Sequence, residues 1–193
     1  MVNVNDNCGG SLISDQWVLT AAHCVYSNAA WNWVGVELGQ HDKRTRAIRT
    51  LVSRVIIHEE YNNVTVNNDI ALLKLKDPVP CIRKICLPAN RAATFVGSQA
   101  TVAGWGKTGV NSEESNVLQK ADVKVISNTE CREYEELTFS TPTSSMLCTV
   151  PNDWDEFYQG ACQGDSGYYF ASLSLNYKTP TPHANPPAQI IGK

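Results

Sequence analysis

Three polar residues in short motifs have the types that nucleophilic catalysis requires. His23 lies in TAAHC, Asp69 begins the apolar stretch DIALLKL, and Ser166 lies in GDSG. A serine hydroxyl is a poor nucleophile at neutral pH, so it needs a base such as histidine to take its proton. A carboxylate beside the histidine fixes the tautomer of the ring and stabilises the imidazolium. Together the three residues predict acyl transfer through a serine nucleophile.

Each motif alone has a simpler interpretation. GDSG is typical of a turn, because glycine, aspartate and serine all favour turns. Asp69 alone could cap a strand, and His23 alone could be a core histidine. The order of the three motifs, with cysteines beside two of them, favours the catalytic interpretation over these alternatives.

The surrounding motifs resemble those of the chymotrypsin-like (trypsin-fold) serine endopeptidases. The resemblance covers residues 8–167 through the stretches CGGSLIS, WVLTAAHC, NNDIALLKL, ICLP, VAGWG and ACQGDSG, in that order. It implies an all-β fold of two packed antiparallel, six-stranded Greek-key β-barrels with the active site between them. It further implies one short intermediate helix and, in this chain, an incomplete second barrel.

The resemblance gives each candidate residue a role through its place in the matching motif. His23 corresponds to the general base, Asp69 to the carboxylate that orients it, and Ser166 to the nucleophile. The backbone N–H groups of Gly164 and Ser166 correspond to the oxyanion hole, where glycine lets the loop turn its amide inward. Asp165 corresponds to the activation-pocket acid, which in active members pairs with the N-terminal ammonium produced by zymogen cleavage.

The expected substrate is a peptide or protein, and protein protease inhibitors are further expected partners. Gly160 corresponds to the base of the specificity pocket, where trypsin-like members have an aspartate that meets lysine or arginine. We therefore expect a preference for non-basic side chains. No cofactor and no metal are expected, because QHDKRTRAIR is basic where the calcium-binding members have an acidic loop.

Seven cysteines favour disulfide bonds in an oxidising compartment over a zinc site, since the sequence has no Cys-x-x-Cys pair. The resemblance implies two bonds, Cys8–Cys24 and Cys131–Cys148. Each closes a short loop and is worth about 3 kcal/mol in the chain-entropy description.

For the other three cysteines the resemblance implies no single partner within the chain. Cys86 corresponds to a position that in some members is bonded to the propeptide, and Cys81 departs from the common pattern and is a second possible partner for it. Cys162 corresponds to half of a bond whose other cysteine does not occur in this chain.

The composition is that of a globular protein and excludes several function classes. A net charge of -3 argues against a general role at nucleic acids or membrane surfaces, and no apolar run is long enough to cross a bilayer. The stretch MVNVNDNCGGSLIS lacks the features of a signal peptide. The cysteines and the resemblance nevertheless predict an extracellular, secreted protein. On that route Asn63-Val64-Thr65 is a usable glycosylation sequon.

Short strands are expected to position the candidate residues. Runs rich in valine, isoleucine, leucine and threonine, several alternating with period two, predict an antiparallel sandwich or barrel. The runs are WVLTAAH, WVGVELG, TLVSRVIIH, IALLKLK, SQATVAGWG and LQKADVKVI. Ser127 followed by Glu130 forms a capping box, which predicts one helix over residues 128–137.

The chain is expected to divide near residues 87–90. Residues 1–88 are interpreted as an N-terminal barrel without its first strand, with His23 and Asp69. Residues 89–175 are interpreted as a C-terminal barrel without its last strands, with Ser166. Residues 176–193 are interpreted as an irregular tail.

The match to the family pattern stops after GDSG. Tyr168, Tyr169 and Phe170 stand where the family has a second glycine and a proline, and no Ser-Trp-Gly stretch follows. The favoured hypothesis is a secreted serine endopeptidase whose sequence is incomplete and zymogen-like, because the triad motifs are intact and the departures lie at the ends. The alternatives are an inactive homologue that acts as a binding protein, and a truncated, non-functional product.

Overall fold

The computed structural model describes residues 1–5, 8–27, 34–89, 94–108, 112–133 and 141–152, together with the backbone of residues 189–192. These residues form two antiparallel β units and two short helices. No helix in the described ranges has the length and apolar character needed to span a membrane.

Six strands of the first half form a closed antiparallel barrel in the order β1-β2-β3-β6-β5-β4. Helix α1 lies between β3 and β4 in the chain. The bounds are β1 Val2–Val4, β2 Cys8–Ser14, β3 Trp17–Thr20, α1 His23–Tyr26, β4 Gly35–Leu38, β5 Ile48–Ile57 and β6 Ala71–Leu75. Along β6, Ala71, Leu73 and Leu75 are buried while the residues between them are half-buried, as period-two alternation dictates.

Strand β1 closes this barrel. It pairs with β2 on one side and with β4 on the other, and Val2 and Val4 are fully buried. The expectation that the first strand is missing is therefore wrong. Three residues are too few for a sequence pattern to be recognised, yet both valines enter the barrel core together with Val18, Val36 and Leu73.

The second half contributes a four-stranded sheet in the order β10-β9-β8-β7. Its strands are β7 Gln99–Gly104, β8 Gln119–Ile126, β9 Met146–Pro151 and β10 Gln189–Gly192. A closed barrel, a partial second sheet and few helices confirm the all-β fold class. The division at residues 88 and 175 stays a prediction, but the interpretation of residues 176–193 as an irregular tail is wrong at β10, which pairs with β9.

The intermediate helix is shorter than predicted. Helix α2 spans Asn128–Cys131, and Ser127 Oγ accepts a hydrogen bond of 3.0 Å from the Glu130 backbone N–H, as the capping box predicts. Arg132 and Glu133 then form bonds of the i to i+3 type, which tighten the chain into a turn. The predicted helical residues 134–137 lie outside the described residues.

The two halves are joined beside the end of β4. The His41 carbonyl oxygen accepts hydrogen bonds from Leu118 N at 2.7 Å and from the buried Trp105 indole at 3.1 Å. Lys43 N donates to Asn116 O at 2.7 Å. The connection between β4 and β5 is thus fixed to the segment between β7 and β8.

Candidate active site

The end of β3 sets the position of His23. Thr20 is fully buried, and its hydroxyl donates a hydrogen bond of 2.7 Å to the Gly9 carbonyl oxygen in β2. Ala21 and Ala22 follow, both buried, and their small side chains let the chain turn closely against the barrel. The backbone that leads into α1 is therefore held against β2 three residues before His23.

Asp69 caps the first turn of α1 from a distant part of the chain. Ala22 holds the N-cap position, and its side chain has no acceptor for the free N–H groups of the first turn. Asp69 Oδ1 instead accepts a hydrogen bond of 2.8 Å from the His23 backbone N–H. The carboxylate thus fixes the backbone of His23 as well as its ring.

The second oxygen of Asp69 contacts the histidine ring. His23 Nδ1 lies 2.6 Å from Asp69 Oδ2. A carboxylate accepts hydrogen bonds, so this contact fixes the tautomer in which Nδ1 carries the proton and Nε2 has a free lone pair. The Asp69 side chain is 11% exposed and that of His23 is 41% exposed. The arrangement thus presents a basic nitrogen on a solvent-accessible ring, backed by a sheltered carboxylate.

A tight turn delivers Asp69 to this position. Asn68 has a φ of +54°, and Ile70 N donates to the Asn68 carbonyl oxygen at 2.8 Å. Asn68 Nδ2 also donates to the Glu60 carbonyl oxygen at 3.1 Å, which holds the turn against the preceding loop. A left-handed conformation is tolerated better by asparagine than by most side chains. Strand β6 begins two residues after Asp69, so the barrel wall anchors the carboxylate on its other side.

An aromatic pair lies close enough to Asp69 for one of its rings to be affected by the charge of the carboxylate. The Tyr26 and Tyr61 rings meet edge to face with centroids 5.3 Å apart. Burial raises the pKa of Tyr61, and the negative charge of Asp69 raises it further. Tyr61 therefore stays neutral at physiological pH beside Asp69.

The Cys8–Cys24 disulfide fastens α1 to β2. Cys24 Sγ lies 3.6 Å from His23 Nε2, but a disulfide sulfur carries no proton that it could give to the ring. Cys8, His23 and Cys24 place potential metal-binding atoms within 4.8 Å of one another. Metal binding by cysteine requires thiolates, so the intact disulfide removes two of these three ligands.

A second disulfide joins Cys131 of α2 to Cys148 of β9. Both bonds are the pairs that the family resemblance implies. Cys81 and Cys86 are exposed free thiols, so the alternative bond between them is not formed in this structure. Cys162 lies outside the described residues.

Of the proposed triad, the structure brings His23 and Asp69 together. The nucleophile loop and the pocket base lie outside the described residues, namely Gly160, Gly164, Asp165 and Ser166. Sequence reasoning did not find the capping of α1 by Asp69. One signal for it was available: Ala22 at the N-cap position indicates that another residue must satisfy the first turn.

The comparison with protein families agrees with this geometry. The family model described as Trypsin matches residues 1–168, that is, 168 of the 193 residues. The matched region contains all three candidate motifs and ends at Tyr168, where the sequence departs from the family pattern. The chain therefore belongs to the trypsin family of serine proteases.

Proposed function

We propose that this protein is a serine endopeptidase that hydrolyses peptide bonds through Ser166, His23 and Asp69. One observation carries the proposal: a single sheltered carboxylate receives hydrogen bonds from both the backbone and the ring of His23. A histidine held in this way has one fixed tautomer and one fixed orientation, which a general base requires. The GDSG motif supplies the serine.

In the proposed mechanism Ser166 Oγ attacks the carbonyl carbon of the substrate while His23 Nε2 takes the hydroxyl proton. The Asp69 carboxylate stabilises the imidazolium that forms. The backbone N–H groups of Gly164 and Ser166 stabilise the negative oxygen of the tetrahedral intermediate. The C–N bond then breaks as His23 gives its proton to the leaving amine, and water hydrolyses the acyl-enzyme with His23 again as base.

The hydrogen bond from the His23 backbone N–H to Asp69 Oδ1 leaves the other carboxylate oxygen, Oδ2, facing the histidine ring. Since Asp69 Oδ1 accepts from the His23 backbone, rotation of the carboxylate would break that bond as well as the bond at Oδ2. A hydrogen bond to a charged acceptor is worth about 1.5–3 kcal/mol. The carboxylate is therefore held in place before substrate binds.

The specificity and activation of the enzyme follow from the nucleophile segment. Gly160 at the base of the pocket carries no charge, so the proposed preference is for non-basic side chains next to the cut bond. Asp165 is proposed to receive an N-terminal ammonium released by cleavage, which makes the protein a zymogen.

Secretion is proposed because the protein has two disulfides, which persist in oxidising compartments. Folded protein inhibitors are proposed as partners because they bind as substrates do.

The test is labelling by a fluorophosphonate, which reacts with an activated serine. After activating cleavage, we expect labelling of the disulfide-bonded protein and of Ser27→Ala, a control at an exposed serine. We expect loss of labelling in Ser166→Ala and in His23→Ala. If Ser166→Ala still hydrolyses a peptide ester at the unchanged rate, the proposed mechanism is wrong. If folded protein is labelled neither before nor after activating cleavage, an inactive binding homologue becomes the better interpretation.

A further inference from the structure

The loop before Asp69 carries a chemical motif that the proposed mechanism does not use. Asn63-Val64-Thr65 is the one Asn-x-Ser/Thr triplet in the sequence. It lies at the tip of a tight loop formed by residues 62–67, here called the sequon loop. Asn62 N donates to the Asn67 carbonyl oxygen at 3.1 Å, which closes the base of this loop.

The tip of the sequon loop faces solvent in a fixed conformation. Asn63 and Thr65 are exposed, and Val64 is 85% exposed. Asn62 Oδ1 accepts hydrogen bonds from the backbone N–H groups of Val64 at 2.9 Å and Thr65 at 3.0 Å. Within the described part of the chain, the Asn63 amide side chain forms no hydrogen bond. A large group attached to Asn63 therefore displaces no contact of the described fold.

The base of the sequon loop is attached to both elements of the candidate active site. Tyr61, directly before the loop, packs against Tyr26 at the end of α1, the helix that begins with His23. Asp69 follows the loop after one intervening residue, Asn68. A group at the tip is thus carried by a loop whose two ends are held beside α1 and at Asp69, the partner of His23.

We propose that Asn63 carries an N-linked oligosaccharide, and that this oligosaccharide hinders folded proteins, but not small substrates, from reaching His23. The second part rests on the proposed function. A protein substrate must approach over a wide area around the cut bond, so a bulky, hydrated group at its margin excludes some approaches. A peptide ester occupies the centre of the site alone and avoids that group.

The modification is a group transfer from an oligosaccharide linked to a lipid through pyrophosphate. The bond between C1 of the first sugar and the pyrophosphate oxygen breaks, and a bond from C1 to Asn63 Nδ2 forms. Nδ2 loses one proton, and the lipid pyrophosphate leaves with the bonding electron pair. The Thr65 hydroxyl is the second element that the transferase requires, so serine can replace it but alanine cannot.

The first experiment measures the modification itself. The full chain is expressed in a glycosylating eukaryotic cell behind a secretion leader, with Thr65→Ser as a matched control and with Thr65→Ala and Asn63→Gln as test variants. We expect a mass shift removed by an N-glycosidase in the parent chain and in Thr65→Ser, and no shift in the other two. An unmodified Asn63 in secreted parent chain overturns the proposal.

The second experiment measures access and does not depend on the folding of a variant. An endoglycosidase trims the folded protein to a single sugar, and hydrolysis of a peptide ester and of a folded protein substrate is compared before and after trimming. We expect the protein rate to rise severalfold at an unchanged ester rate. If the enzyme is active and trimming leaves the ratio of the protein rate to the ester rate unchanged, the access effect is overturned, while the proposed function stands. If neither substrate is hydrolysed even after activating cleavage, the proposed function and the access effect are both overturned, while the measured mass still decides the modification.

Discussion

The Thr143 hydroxyl donates a hydrogen bond of 2.5 Å to Asn67 Oδ1, and so joins the loop before Asp69 to the segment that leads into β9. Ser145 Oγ donates to the same oxygen and accepts a bond of 3.3 Å from Asn68 N. Asn67 and Asn68 directly precede Asp69. These bonds therefore hold the backbone that carries the Asp69 side chain against the segment that leads into the second sheet. They form a second junction between the two halves, separate from the one at His41.

Replacing Thr143 by valine removes one bond of this junction at nearly constant volume. We expect the free energy of unfolding to fall by about 0.5–1.5 kcal/mol, the net value of one hydrogen bond, since Asn67 Oδ1 keeps its bond from Ser145. Thr143→Ser retains the hydroxyl and serves as the control. Urea unfolding measures both variants, and equal stability of the valine and serine variants would show that the hydroxyl contributes nothing.

Asp69→Asn should abolish most activity with little change in fold. The amide oxygen can still accept from the His23 backbone, but the amide NH2 then opposes the Nδ1 proton and selects the other ring tautomer. We expect kcat to fall by about 10⁴-fold, the loss typical of this substitution in a Ser-His-Asp triad. Steady-state hydrolysis of a peptide ester measures the loss, with Asp77→Asn as the control at an exposed aspartate. A loss below about tenfold would contradict the assigned role of Asp69.

The fold could be predicted from the sequence where strands are long and alternate. Strand β6 matches the run IALLKLK because its buried residues repeat every second position. Strand β1 was not predicted, because its three residues are stabilised by pairing with β2 on one edge and β4 on the other. That pairing is a property of the closed barrel and leaves no pattern in the sequence. Helix α2 was predicted from its cap, yet its end depends on a turn that no pattern in the sequence marks.

The sequence motifs single out the two described residues of the candidate site, but not the geometry in which they meet. His23 and Asp69 stand out because each lies in a family motif. Their backbone contact joins residues 46 positions apart, and it forms only when β3 and β6 lie side by side in the barrel. The same holds for Asn67 and Thr143, which belong to different halves and have no shared motif.

Two glycines in the barrel should respond oppositely to alanine. A Cβ on Gly10 would lie 2.8 Å from Val18 Cγ1 and 3.1 Å from the Leu19 carbonyl oxygen, so Gly10→Ala forces a shift in the core. We expect it to destabilise the protein by about 1–3 kcal/mol. A Cβ on Gly35 would have no atom within 4 Å. Since alanine restricts the unfolded chain, Gly35→Ala should be neutral or stabilise by up to about 1 kcal/mol. Thermal unfolding of the two variants checks the difference, and equal effects would contradict the packing argument.

The ion pair between Asp42 and Arg44 should make the free energy of unfolding depend on pH in the acidic range. Hydrogen bonds from the Arg44 guanidinium and backbone N–H lower the pKa of Asp42 to about 2 from an ordinary value of 3.8. A carboxyl group with a lowered folded-state pKa stabilises the protein above its unfolded-state pKa, and this contribution is lost as the pH falls through about 2. Asp42→Asn keeps the shape and an acceptor oxygen but removes the charge.

We therefore expect Asp42→Asn to be less stable than the parent chain at pH 7, and the difference to shrink between pH 4 and pH 2. The difference at pH 7 should be modest and should decrease in high salt, because the Arg44 side chain is 67% exposed. Urea unfolding at pH 7, 4 and 2 gives the comparison, and Arg44→Gln should show the same pH dependence. A difference that stays constant over this range would mean that Asp42 acts through the shape of its turn, where it holds the Arg44 backbone N–H at 2.9 Å, and not through its charge.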